Sequence, residues 1–353
     1  MRRTYRLAIT MVLIGCPGML GTGLWAQDTI RRIGMPAIQG TVKKMSPLEV
    51  IVEQAGQELK IPVNEIQAII FQREPPGLTR VRTLAAEGRY QDALDILNDP
   101  KRLAPEELDM PVLKQEAEFY KAYCLAKLAL AGSADIQEAG KALINFVQNN
   151  PGSFHYLEAT ELIGNLLVAA GKYKEAEAYY KPVAQTPWPD YQIRGGVALG
   201  RLALAQGRTE DAEKIFDKVL SISASGAQAE LYRQEAQLGK ARCLAEKGKH
   251  AEARKIVEDI IAGADPEHQE LHARAYNTLG AVERKAGRTK EALLAFLHVD
   301  VLYSANGEQH AEALYHLVEL WNQLHKPERA TQARQILETR YKNSLWAKKL
   351  SGS

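Results

Sequence analysis

A ten-residue string recurs along this chain and constrains its fold more than any other feature. GKYKEAEAYY (Gly171–Tyr180) returns as GRYQDALDIL from Gly88, GRTEDAEKIF from Gly207, GKHAEARKIV from Gly248 and GRTKEALLAF from Gly287. Two weaker copies are ADIQEAGKAL from Ala134 and HKPERATQAR from His325. Start-to-start spacings are 46, 37, 36, 41, 39 and 38 residues. A period of this length marks supersecondary units that cannot bury their apolar faces alone and must stack on their neighbours. The expectation is a mainly α, helical-hairpin solenoid of about seven repeats.

Each copy begins in a turn between two helices. Glycine closes the first helix because it adopts the left-handed C′ conformation at little cost. Alanine is the sixth residue of every copy: Ala93, Ala139, Ala176, Ala212, Ala253, Ala292 and Ala330. A small side chain there lets two helices approach. A second small position lies seven residues before the turn, at Gly164, Gly200, Ala241 and Gly280. Glycine inside a helix costs about 1 kcal/mol relative to alanine, so its recurrence in one register points to packing. Leu97, Tyr180, Phe216, Val257 and Phe296 follow four after the alanine and are expected to fill space between neighbouring hairpins.

These positions resemble the tetratricopeptide repeat, whose signature is a small residue in the first helix, a turn glycine, a second-helix alanine, an aromatic and often a proline. Pro151, twelve residues after Ala139, stands where that proline belongs. The resemblance covers roughly residues 78–343. The family unit is 34 residues, and these run longer; longer first helices such as 267–286 would absorb the excess. The pattern is similar to repeat arrays of exported bacterial proteins. The tail from Asn343 to Leu350 reads as a short closing helix with Lys348 and Lys349 outward.

Residues 27–76 differ from the rest. Leu48, Val50 and Val52 alternate, as do Leu59, Ile61 and Val63, with Ala55-Gly56 as a tight turn between them. Ile38–Met45 and Gln67–Phe71 are further strand candidates, giving about four strands. The pattern resembles a small SH3-like or Sm-like barrel. So small a sheet is marginal alone and is expected to pack on the first helices. Glu74-Pro75-Pro76-Gly77 marks the boundary, with the repeat array over 77–343 and a cap or tail over 344–353.

Residues 1–26 read as a secretory signal: MRRTYR is a basic start and LAITMVLIG an apolar stretch. Cleavage after Ala26 leaves a periplasmic or secreted chain. The alternative is Leu13-Ile14-Gly15-Cys16, which resembles a lipobox and would tether the chain to a membrane through Cys16. Without Arg2, Arg3 and Arg6 the formal charge changes from +2 to −1, with 42 basic and 43 acidic side chains. That balance argues against nucleic-acid binding, which needs a basic surplus. Cys124 and Cys243 read as two buried helix-packing residues several repeats apart, too far for a disulfide.

No catalytic constellation stands out, and neither enzyme activity nor a cofactor is expected. His268 and His272 are four apart on one helix face, but the glutamate between them is not where a zincin places it, and a third ligand is not evident. They read as solvated histidines, and no metal is expected. Tyr179 and Trp321 read as packing residues, Trp188 in its Pro-Trp-Pro loop as packing or a partner contact, and Trp346 as a cap on the last layer.

The resemblance implies that first helices line a concave groove, and that the residue after the small position points into it. Those residues are Asn165, Arg201, Arg242 and Ala281, with Asn277 and Arg284 nearby. Arginines pair bidentately with carboxylates. Arg201 and Arg242 would bind an acidic group on a protein or peptide partner, or would pair with acids of this chain such as Glu161 and Glu246. The function expected is a non-enzymatic protein–protein interaction scaffold of the cell envelope. The alternatives are a self-associating structural protein and an accessory subunit of an envelope enzyme complex.

Overall fold

The computed structural model describes residues 27–352. Residues 1–26, read above as a secretory signal, and Cys16 among them, lie outside the described residues. The chain opens with five strands: β1 (Asp28–Arg32), β2 (Met35–Met45), β3 (Glu49–Gln54), β4 (Gln57–Pro62) and β5 (Ile66–Ile70). They form one antiparallel sheet in the order β4-β3-β2-β1-β5. The sequence pattern gave four strands and missed β1. Its five residues carry two arginines around a single fully buried apolar side chain, Ile30, too short an alternation to read. Ala55 (φ 51°) and Gly56 (φ 79°) make the two-residue β3–β4 turn, where both residues need positive φ. The buried Asp28 carboxylate accepts the amides of Val42 and Gln72, both at 2.7 Å, and so ties β1 to β2 and to the end of β5.

Behind the sheet run seven helical hairpins. They are α1 (Pro76–Ala86) with α2 (Tyr90–Leu97), α3 (Pro111–Ala131) with α4 (Ile136–Asn149), and α5 (Tyr156–Ala169) with α6 (Tyr173–Ala184). Next come α7 (Pro189–Ala205) with α8 (Thr209–Leu220), and α9 (Ala227–Glu246) with α10 (His250–Gly263). The last are α11 (Gln269–Lys285) with α12 (Thr289–Leu302), and α13 (Gly307–Gln323) with α14 (Pro327–Arg340). A closing helix, α15 (Leu345–Ser351), is capped by the Ser344 hydroxyl, which accepts the Ala347 amide. First helices reach 21 residues in α3 and 20 in α9, which accounts for the long period.

One apolar core runs from Ile30 through Val52, Phe71 and Leu84 to Phe119 and Leu166, so the sheet and the first hairpins bury a common surface. The sheet also reaches forward: the Asn64 amide donates to the Asp190 carboxylate at 3.1 Å. Trp188 packs against this same core, with its ring edge-on to Tyr191. A buried ionic chain runs beneath it. Arg82 of α1 donates to Glu74 at 2.7 Å and to Glu116 of α3 at 3.4 Å, and the His155 imidazole meets Glu116 at 3.1 Å while stacking on Phe119.

The repeated residues hold each hairpin together. The second-helix alanines are buried in all seven hairpins. The turn glycines Gly88, Gly171, Gly207, Gly248 and Gly287 have φ from 73° to 79°, and His325 replaces glycine at φ 57°. A Cβ on Gly164, Gly200 or Gly280 would fall 2.5 Å from the ring of Tyr180, Phe216 or Phe296. The aromatic therefore fills the gap inside its own hairpin, where the sequence pointed to the gap between hairpins. Phe216 does both, since a Cβ on Gly239 of the next first helix would lie 2.2 Å from it. Cys124 and Cys243 are buried free thiols.

The solenoid completes a turn and meets itself. The carboxyl end of α3 abuts the start of α13 and the turn before α15. The Asn343 amide donates to the Gly132 carbonyl at 3.1 Å, the Asn343 side chain to the Ala134 carbonyl at 3.3 Å, and the Ser133 hydroxyl to the Arg340 carbonyl at 3.1 Å. Among the described residues no helix is long and apolar enough to cross a membrane.

Candidate functional site

The first helices surround a chamber of about 1120 Å³. Residues spaced seven apart lie two turns apart on one helix face, and the chamber wall is built this way. The residues after the small positions, Asn165, Arg201, Arg242 and Ala281, all line it. So do the residues seven before them, Glu158, Arg194, Glu235 and Arg274, and Glu312 at the matching place on α13. From α5 to α13 this second row reads Glu, Arg, Glu, Arg, Glu, so each first helix presents the opposite charge to the next.

Ion pairs join this row to the charged residues beside it. Arg194 meets Glu161 at 2.5 Å, and Glu235 lies between Arg201 (3.2 Å) and Arg274 (3.7 Å). Arg242 reaches across α11 to Glu312 at 2.7 Å and also donates to the Thr278 hydroxyl. The sequence left open whether the two arginines are free or paired. Both are paired, with Glu235 and Glu312 in place of the expected Glu161 and Glu246. Burial, then Arg274 nearby, lowers the Arg201 pKa from its ordinary value. Burial works to raise Glu312, but Arg242 and His316 hold it below the usual carboxylate range.

Two of the predicted groove residues, Asn277 and Arg284, lie elsewhere. Asn277 is fully buried and donates to the Gln309 carbonyl at 2.9 Å, because its face of α11 packs on α13. Arg284 pairs with Glu319 at 2.8 Å and with His316, again between α11 and α13. The Asn165 side chain accepts the Tyr180 hydroxyl at 2.8 Å while lining the chamber. Arg194, Glu235, Arg274 and Glu312 escaped the sequence reading, although the same two-turn step from Arg201, Arg242, Ala281 and Glu319 reaches them.

Other polar clusters are structural. The His272 ring meets the Asp265 carbonyl at 3.1 Å and lies parallel to Tyr303. Trp346 lines the chamber with Lys349 over its ring at 4.3 Å. Among the described residues no group of three or more His, Cys, Asp and Glu side chains is placed to hold a metal ion.

Comparison with known proteins agrees with this architecture. Residues 167–234 and 203–275 match the family model of the tetratricopeptide repeat. No curated protein matches the chain. Among solved structures, a Rap protein complexed with Competence and Sporulation Factor is similar at TM-score 0.56 and 16% identity, covering 77% of this chain and 75% of that one. A tetratricopeptide repeat protein from Parabacteroides merdae ATCC 43184 gives TM-score 0.47 and 16% identity over 76% of this chain and 93% of that one. PilW, a type IV pilus biogenesis factor, gives TM-score 0.38 and 16% identity over 65% and 97%. Residues 167–275 carry tetratricopeptide repeats, within a helical-hairpin solenoid that follows an N-terminal five-stranded antiparallel sheet.

Proposed function

We propose that this protein is a non-enzymatic interaction scaffold whose chamber holds a segment of a protein partner. The observation that carries the reading is the concave wall itself: charged and polar residues in a repeating register, turned toward one chamber of about 1120 Å³. An α-helix is about 10–12 Å across with side chains, so that space takes on the order of eight residues of helix. The Rap protein of similar fold is complexed with Competence and Sporulation Factor, which supports a binding role for the fold. The wall's own ion pairs define the partner's chemistry. Acidic groups of the segment displace Glu235 or Glu312 from Arg201 and Arg242, and its basic groups take the released glutamates.

The test is to capture a partner with the mature chain and titrate it against Arg201→Ala plus Arg242→Ala. Close interfacial charge pairs couple by about 1.5 kcal/mol or more, so affinity is expected to fall at least about tenfold, with a shallower dependence on salt. Unchanged affinity and salt dependence would remove the arginines from the site. The scaffold is further proposed to act in the cell envelope, because residues 1–26 carry a basic start followed by an apolar stretch. Mass spectrometry of the mature N-terminus is expected to find Gln27 first. A lipid-modified Cys16 at the N-terminus would establish the tethered alternative.

A further inference from the structure

We propose that the chamber admits its partner segment sideways, through the seam where the solenoid meets itself, and that the seam closes again around it. This rests on reading the chamber as the binding site. A ring built from one continuous chain has a single closure without chain continuity. Here it lies between the end of α3 and the residues flanking α13 and preceding α15. Parting the ring anywhere else would open the cores that join neighbouring hairpins, such as Phe216 against Gly239. Parting it at the seam separates Ala131 and Gly132 from Gly307 and Ser344, beside the buried Tyr341. A Cβ on Gly132 would lie 2.4 Å from the Ser344 amide nitrogen, and one on Gly307 2.8 Å from the Ala131 Cβ. The contact is close, and the buried Tyr341 packs beside it, its ring 3.4 Å from the same Gly307 position.

Three hydrogen bonds cross the seam, from Asn343 to Gly132 and Ala134 and from Ser133 to Arg340. On its chamber side Lys127 of α3, Glu270 of α11 and Glu308 of α13 line the wall together. Lys127, helped by Arg274, holds Glu270 down to about 2 against burial. Burial raises Glu308, opposed by Arg274 and Lys127. A lateral entrance allows the segment to lie within a folded partner, since no free chain end has to be threaded. The partner class is therefore an internal, mixed-charge loop or linker.

The test is hydrogen exchange on the free mature chain, read by mass spectrometry. The amides of residues 131–135 and 341–347 are expected to exchange at least about 100-fold faster than those of α12. Ser133→Ala plus Asn343→Ala, which removes two of the hydrogen bonds across the seam, is expected to speed them about tenfold. Lys127→Met, on the chamber side, is likewise expected to speed seam exchange about tenfold and leave α12 unchanged. Seam amides as protected as α12, or exchange indifferent to both changes, would overturn the gate. Because no partner is present, a rigid seam refutes the gate alone, and a binding failure beside an opening seam refutes only the chamber reading.

Discussion

Replacing Glu116 with alanine is expected to destabilise the N-terminal core by about 3–5 kcal/mol, the usual consequence of removing one partner from a buried ionic network. The Glu116 carboxylate is 2% exposed and bonds both His155 and Arg82. Its loss takes one of two carboxylates from each cation, leaving Arg82 with Glu74 and His155 with Glu158 beside the apolar wall of Phe119 and Tyr120. Urea unfolding followed by Trp188, which packs on this core, measures the change. Glu116→Gln keeps an acceptor and is expected to lose less. The pH dependence supplies a second reading. Burial alone would lower the His155 pKa, but Glu116 and Glu158 outweigh it and raise it. A raised folded pKa contributes stability fully below the ordinary imidazole value of about 6.5. That contribution is lost as the pH rises through the higher folded value. In Glu116→Ala this slope is expected to flatten, since Glu158 alone is left to offset burial.

Phe216→Ala is expected to cost about 3–5 kcal/mol, the range for a fully buried phenylalanine, and to loosen two hairpins at once. The ring is 0% exposed and occupies the space left by Gly200 of its own hairpin and Gly239 of the next. The glycines predict a reversal of sign. In the native background Gly239→Ala forces a methyl group against the ring and is expected to destabilise by about 1–3 kcal/mol. In Phe216→Ala the same change meets no ring and recovers the helix preference of alanine, about 1 kcal/mol. A double-mutant cycle in urea measures this coupling. A neutral Gly239→Ala in the native chain would show that the glycine is not reserved for the ring.

The sequence made the hairpins legible because their packing is local. Turn glycine, alanine and aromatic recur at fixed offsets, and each offset maps to one contact. The wall was half legible for the same reason. Arg201 and Arg242 follow from the register, while Asn277 does not, because α11 turns that face toward α13. Their counter-ions were not legible. Glu235 and Glu312 come from later repeats, and which acid meets which arginine depends on superhelical pitch. The same holds for the seam, where Ser133 meets Arg340 across 207 positions of chain. Nothing local in the string SADIQ announces that contact. Strand β1 escaped for a different reason, since its pairing partners β2 and β5, not its own alternation, make it a strand.

The central claim is that recognition occurs inside the chamber. The most direct measurement is photo-cross-linking in the native cell, with a photoreactive residue at Ala281 on the chamber wall or at Leu294, 58% exposed on the outer helix α12. The account predicts a discrete protein adduct from position 281 and none from position 294. An adduct from position 294 with none from 281 would place recognition on the outer face and contradict the account.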